Sequence, residues 1–184
     1  MQTLTHHFLL PTEAMQDARF FDCVLYICRH TKDGAWGFII NKPSDELSVG
    51  MLLTQANIDA GKQAMDTPAM VGGVLRTEAG FILHTGLPDF QSSYAIGENL
   101  CLTTSRDILP RLAPNSQFAH FLLLMGFCHW EKGQLEAEVL AGSWLSLPAS
   151  SEIIFHHDNA EKMPLIYATM GISPSLFTPT IGQA

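Results

Sequence analysis

Charge is scarce in this chain of 184 residues: Asp, Glu, Lys and Arg make up 15% of it, against ~25% in typical globular proteins. Such a surface carries many neutral polar or apolar groups, and a homodimer face is one outlet for them. The ten Lys and Arg are scattered, and no three fall in one short window. With a net charge of −8, the chain lacks the basic stripe by which nucleic-acid binders neutralise phosphates. Direct DNA binding is therefore not expected. Cysteine is limited to Cys23, Cys28, Cys101 and Cys128, with no C-x-x-C among them. That spacing excludes a paired-cysteine structural zinc site, and no other metal or cofactor motif appears. Three of the four sit in apolar stretches, where free cysteine acts as a small buried hydrophobe. The longest apolar run, 118–128, is broken by His120 and falls well short of the ~20 residues that cross a bilayer. The N-terminus has no positive segment before its short apolar stretch, so no signal peptide is read and a cytoplasmic location is expected.

What is present suits one globular domain. Apolar residues reach 47%, and a chain of this length buries roughly 70% of its extended surface. Short apolar runs are split by Gly, Pro and Asp. Val24–Arg29 and Trp36–Asn41 read as strands, joined through Lys32-Asp33-Gly34 as a hairpin. Lys42-Pro43 is expected to stop the second, because proline cannot donate to a ladder. Ser48 can cap a helix through Leu53 and Ala56. Further strands are read at Ala69–Gly72, Phe81–Thr85, Asn99–Leu102, Phe118–Phe127, Trp144–Leu147 and Ile153–Phe155. Helices are read after Thr104, over Gly133–Leu140 and over Asn159–Met170. Thr104-x-x-Asp107 fits a capping-box variant, with Pro110 ending or kinking its helix early. Elements mix without strict βαβ alternation, so the fold class is α+β with a mixed or antiparallel sheet.

Several of these segments carry a family resemblance. G-F-I-I-N-K-P (37–43), L-T-T-S-R-D (102–107) and W-x-x-G-Q-L-E-x-E (130–138) stand in the order and spacing of the YqgE/AlgH family. The similarity runs over roughly residues 4–172. It implies a single bacterial cytosolic domain over 1–172, with a tail at 173–184. It also implies a largely antiparallel, bifurcated, barrel-like sheet flanked by helices. Relatives are labelled transcriptional regulators through a genetic link to alginate control; no catalytic residues come with the resemblance. The chain has Gly72-Gly73-Val74 where the family usually has Gly-Gly-Pro.

Candidate ligand-binding residues are Asn41 and Lys42 at a strand end, His84 in a strand, Thr104, Arg106 and Asp107 at a helix start, and Trp130 with Gln134. Each has a structural reading beside the functional one. Gly72-Gly73 reads as a turn needing positive φ, Asn41 as a side chain bonded to turn backbone, and Thr104 with Asp107 as a cap. Glu136 and Glu138 lie two apart on a helix and point to different sides, so they do not form an acid–base pair. No catalytic signature and no G-x-S-x-G elbow appear. The expected function is regulation through an unidentified protein or small-molecule partner. The alternative is a hydrolase-like enzyme, should folding gather His84, Thr104 and Asp107 in one cleft.

Overall fold

The computed structural model describes residues 3–97, 99–113 and 120–171. The strands are β1 (His7–Pro11), β2 (Leu25–Thr31), β3 (Gly34–Ile39), β4 (Pro43–Ser48), β5 (Pro68–Val71), β6 (Leu75–Thr85), β7 (Ser93–Gly97), β8 (Leu100–Thr103), β9 (Phe121–Glu131) and β10 (Trp144–Pro148). The helices are α1 (Val49–Gln55), α2 (Gly61–Asp66), α3 (Gln134–Leu140), α4 (Ser151–Ile154) and α5 (Lys162–Thr169), with 3-10 turns at Ala18–Phe20 and Arg106–Leu112. The sheet follows the order β10-β1-β2-β3-β9-β6-β8-β7 and curls into a half-barrel, so the architecture is α+β and largely antiparallel.

The sheet forks at β9. Its residues Cys128–Glu131 pair with β3, whereas Leu124 and Met125 pair in parallel with β5, which in turn pairs with β4. The change of partner falls at Gly126, whose φ of +72° is costly for any other residue. Gly72 bridges the fork: its amide donates to the Met125 carbonyl and its own carbonyl accepts from Ile39, both at 2.7 Å. A Cβ at Gly72 would stand 2.7 Å from the Gly126 oxygen, and one at Gly73 would stand 2.1 Å from the Phe127 carbonyl carbon. Neither glycine has a positive φ. The expected turn is therefore corrected: this pair is required because two backbones touch there.

Period-two alternation decides what each face meets. Phe8, Tyr26, Phe38, Leu83, Leu102 and Leu124 face a core closed by Ile153, Ile154 and Ile166 from α4 and α5. Leu9, Leu25, Ile27 and Ile39 point the other way, into a core with Leu135 of α3, Trp130 and Trp144. A third core lies under α1, α2 and the second 3-10 turn, around Val49, Leu53, Ile82, Ile108 and Leu123. The inner strands are thus buried on both faces and read as near-continuous apolar runs.

Several expectations change. Ile153–Phe155 is not a strand, since Ser150 accepts from the Ile153 amide and starts α4. Three apolar residues fit either state, and the serine cap decides. The strand β3 does end before Lys42-Pro43, at Ile39, and Pro43 then opens β4. Thr104 caps nothing: Ser105 precedes the 3-10 turn, which makes no side-chain cap bond and runs through Pro110 to Leu112. Pro164 is tolerated because it lies in the first turn of α5, where an amide has no intrahelical acceptor. The 173–184 tail and residues 118–119 of the expected long strand lie outside the described residues. Ser48 does cap α1, accepting from Met51. The β2–β3 hairpin forms with Thr31 opposite Gly34.

Lys162 begins α5 with its side chain fully buried. Its ammonium donates to the Ile40 carbonyl at 2.7 Å and to Asn159 Oδ1 at 2.9 Å. No carboxylate pairs with it among the described residues, and burial pulls its pKa down to about 8. The lysine ties α5 to the end of β3. Among the described residues no helix is long and apolar enough to cross a membrane.

Candidate functional site

A concavity lies between α1, the second 3-10 turn and the face of β6, β8 and β9, with a volume of about 400 Å³. Its floor is apolar: Ile82 from β6, with Leu123 and Met125 from β9. Leu52 and Ala56 of α1 form one wall. The opposite wall is Thr103-Thr104-Ser105-Arg106, the heart of the L-T-T-S-R-D motif. The motif lands there because β8 ends at Thr103 and the chain turns over the sheet edge before Ile108 and Leu109 dive into the core.

The polar wall is held from behind. Asp107 accepts from the Gln91 amide at 3.0 Å and from the Ser105 hydroxyl, and these bonds, Ser105's first, hold its pKa below the usual carboxylate range. The Thr104 amide donates to the Ser92 carbonyl. Beneath the wall, His84 is fully buried and its ring Nδ1 lies 3.0 Å from the Thr85 carbonyl, which can only accept. Nδ1 therefore carries the proton. Burial lowers the His84 pKa, the Thr85 carbonyl opposing it in part, so the ring is neutral and Nε2 accepts. The Thr103 hydroxyl donates to Nε2 at 2.9 Å and receives the Ser93 hydroxyl at 2.6 Å. Ser93, Thr103 and His84 make a one-way hydrogen-bond chain behind the groove.

The candidate residues do not converge on one place. Thr104 and Arg106 line the groove; Asp107 and His84 brace it. Asn41 and Lys42 border a separate depression with Asp22, His157 and Asn159. There the Asn41 side chain accepts from the Val24 amide at 2.7 Å and donates to the Asp22 carbonyl at 2.8 Å, stitching β3 to the loop before β2. Trp130 and Gln134 line a third depression with Arg19 and Trp144. The residues that sequence reasoning missed are Ser93, Thr103, Gly80 and the apolar floor. Thr103 was visible inside the motif; the others became neighbours only through β-pairing.

The W-x-x-G-Q-L-E-x-E motif resolves into a clamp. Glu138 Oε2 accepts the indole N–H of Trp130 at 2.9 Å and of Trp144 at 2.7 Å, while Oε1 accepts from Gln134 at 2.9 Å. Glu136 points elsewhere, 3.2 Å from His30 Nε2, whose Nδ1 accepts the Leu4 amide at 2.9 Å. The two glutamates therefore brace different contacts, as their spacing predicts. Glu138→Leu leaves two buried indole donors without an acceptor, each costing about 1–3 kcal/mol. Its urea midpoint is expected to fall accordingly, with Glu138→Gln losing less because one amide oxygen still accepts. Equal stability of Glu138→Leu and the parent in a urea titration would show that the clamp does not hold β9 to β10.

The family profile described as AlgH-like matches residues 8–175. A UPF0301 protein of Psychrobacter cryohalolentis is 40% identical over 182 residues, covering 98% of this chain and 97% of the relative. UPF0301 protein PC1_3712 of Pectobacterium carotovorum is 42% identical over 185 residues, covering 98% and 99%. The solution structure of the AlgH protein from Pseudomonas aeruginosa superposes with a TM-score of 0.82 at 34% identity, covering 100% of this chain and 97% of that one. The crystal structure of protein DIP2367 from Corynebacterium diphtheriae shares the fold, with a TM-score of 0.66 at 16% identity over 89% of this chain and 86% of that one.

Proposed function

Because the chain belongs to the YqgE/AlgH family, and most of its motif residues brace the fold while Thr104 and Arg106 face a groove, we propose that it is a cytoplasmic binding module that regulates through a ligand or protein partner. The observation that carries this reading is the groove beside Thr104 and Arg106. Its volume of about 400 Å³ falls inside the ~300–1,000 Å³ of small-ligand sites, and it pairs an apolar floor with a few convergent polar groups. Effects on transcription are then indirect, in keeping with a net charge of −8.

A hydrolase-like enzyme around His84, Thr104 and Asp107 draws support from one contact, a neutral histidine accepting from a hydroxyl. That hydroxyl belongs to Thr103, which is fully buried, and the Asp107 carboxylate is engaged with Ser105 and Gln91. Binding accounts for more of the arrangement than turnover does.

A thermal-shift screen of metabolites against the parent and Ala56→Trp tests the proposal. Ala56 is exposed on the groove wall, so the indole fills the space without entering the core. At least one compound is expected to raise the parent's Tm by about 5–10 °C at a hundredfold excess over its Kd, and to lose that effect in Ala56→Trp. Compounds that stabilise both proteins equally, or none that stabilises the parent, would remove the groove as the site of function.

A further inference from the structure

We propose that the groove is built for a small amphipathic anion, with a carboxylate or phosphate against Arg106 and Thr104 and an apolar body over Ile82, Leu123 and Met125. This deepens the binding reading above and rests on it. Three observations carry it.

The first is Gly80. It lies on β6 in the groove floor, without a positive φ. A Cβ there would meet only Met125 Sδ at 3.7 Å and Leu123 Cδ1 at 3.8 Å, ordinary contact distances. Neither conformation nor crowding demands a glycine at this point of the strand, whereas Gly72 and Gly73 are demanded by touching backbones. What the missing side chain does is keep the apolar floor open.

The second is Arg106. It is exposed on the groove wall, and among the described residues it has neither an ion pair nor a hydrogen bond. The nearest carboxylate in sequence, Asp107, is taken up by Ser105 and Gln91. Glu78 also borders the groove, and its carboxylate lies 3.9 Å from the Arg76 guanidinium. An unpaired guanidinium above an apolar floor matches an anion with a hydrocarbon body, and it can engage a carboxylate or phosphate through two N–H groups at once.

The third is Thr104. Its backbone is anchored to Ser92, while its side chain makes no hydrogen bond among the described residues. The hydroxyl stands beside Arg106 on the same wall, free to donate to the same anion.

Calorimetric titration of the full chain tests this with octanoate, octyl phosphate, 1-octanol and inorganic phosphate, each below its aggregation limit. Octanoate or octyl phosphate is expected to bind, and whichever is tighter identifies the head group. 1-Octanol and inorganic phosphate are each expected to bind at least about tenfold more weakly, since each lacks one half of the match. Arg106→Gln should weaken the better anion about tenfold or more and leave 1-octanol unchanged. Gly80→Val should abolish binding of the octyl body while melting at or above the parent's temperature, because a β-branched residue suits a strand and the space is open. If Arg106→Gln binds the anions as tightly as the parent does, the anion class falls, although a groove ligand of another kind survives. Binding by Gly80→Val equal to the parent's places the probe outside the groove. No heat with either anion at millimolar concentration overturns the proposal, and the Ala56→Trp screen then decides separately whether the groove binds anything.

Discussion

Under reducing conditions, raising the pH above 9 is expected to unfold the protein, and buried thiols, joined above pH 10 by the buried Tyr26 phenol whose pKa burial also raises, are the cause. Cys23, Cys28 and Cys128 are each at most 2% exposed. Burial pushes Cys23 up from 9.0 to about 11, with Lys42 opposing weakly. It pushes Cys128 up to about 12, partly offset by the Val74 backbone, and Cys28 well above its ordinary range. A raised folded-state value means that the unfolded chain loses its proton first. The stabilisation is complete below pH 9 and is withdrawn as pH climbs through the folded values. At about 1.4 kcal/mol for each pH unit between the two states, Cys23 and Cys128 alone withdraw about 3 and about 4 kcal/mol by pH 12. That is comparable with the whole stability of an ordinary domain, about 5–15 kcal/mol. Lys162 works in the other direction: its lowered value makes the folded state lose a proton first, so stability rises from about pH 8 toward 10.5. One lysine offsets roughly one thiol, so the fall wins above pH 9. Urea midpoints measured at several pH values, with thiolate absorbance followed in parallel, are expected to fall together with the appearance of thiolate. Cys128→Ala should be less stable at neutral pH, through its cavity, yet shallower in its alkaline decline. Thiolate appearing while the urea midpoint stays level would mean that these sulfurs ionise within the fold, and the account would fail.

The second large effect is expected from a single methyl group. Gly73→Ala places a Cβ 2.1 Å from the Phe127 carbonyl carbon and 2.3 Å from its oxygen. Both contacts are with backbone, so no rotamer change relieves them; β9 must move away from the link between β5 and β6. Overpacking by side chains costs about 1–3 kcal/mol, and a backbone clash at the sheet's fork belongs above that range, beyond about 4 kcal/mol. The variant is expected to be insoluble, or to unfold at much lower urea than the parent. Gly80→Ala, seven residues further on, meets nothing closer than 3.7 Å and is expected to lie within about 1 kcal/mol of the parent. A Gly73→Ala protein as stable as Gly80→Ala would show that the fork is not closed as described.

These two glycines illustrate how far local signals reach. Gly72-Gly73 was visible as a special place, but the reason assigned to it, a positive φ, was a local one. The actual reason is a strand about fifty residues later in sequence. The same holds for L-T-T-S-R-D. Its polarity marked it as a candidate, and capping was the local explanation. In the fold Asp107 reaches back to Gln91, Thr103 bonds to His84 and Ser93, Ser105 bonds to Asp107, and of the polar groove wall only Thr104 and Arg106 keep side chains without a hydrogen bond among the described residues. The strand at Ile153–Phe155 failed for the complementary reason: three apolar residues carry no period, and the serine cap before them decided for helix.

From the sequence alone came the α+β class, the β2–β3 hairpin with its Lys32-Asp33-Gly34 turn, the Ser48 cap, the burial of Cys28, Cys101 and Cys128, and the family. Each of these is written within a few residues, by alternation, turn chemistry or motif spacing. Only the tertiary structure decided where the sheet forks, which glycines are compulsory, and that Glu138 serves two tryptophans. It alone showed that Gly80 and Arg106 share one groove. Such facts depend on contacts between residues distant along the chain, and these exist only once β9 has paired with β3, β5 and β6.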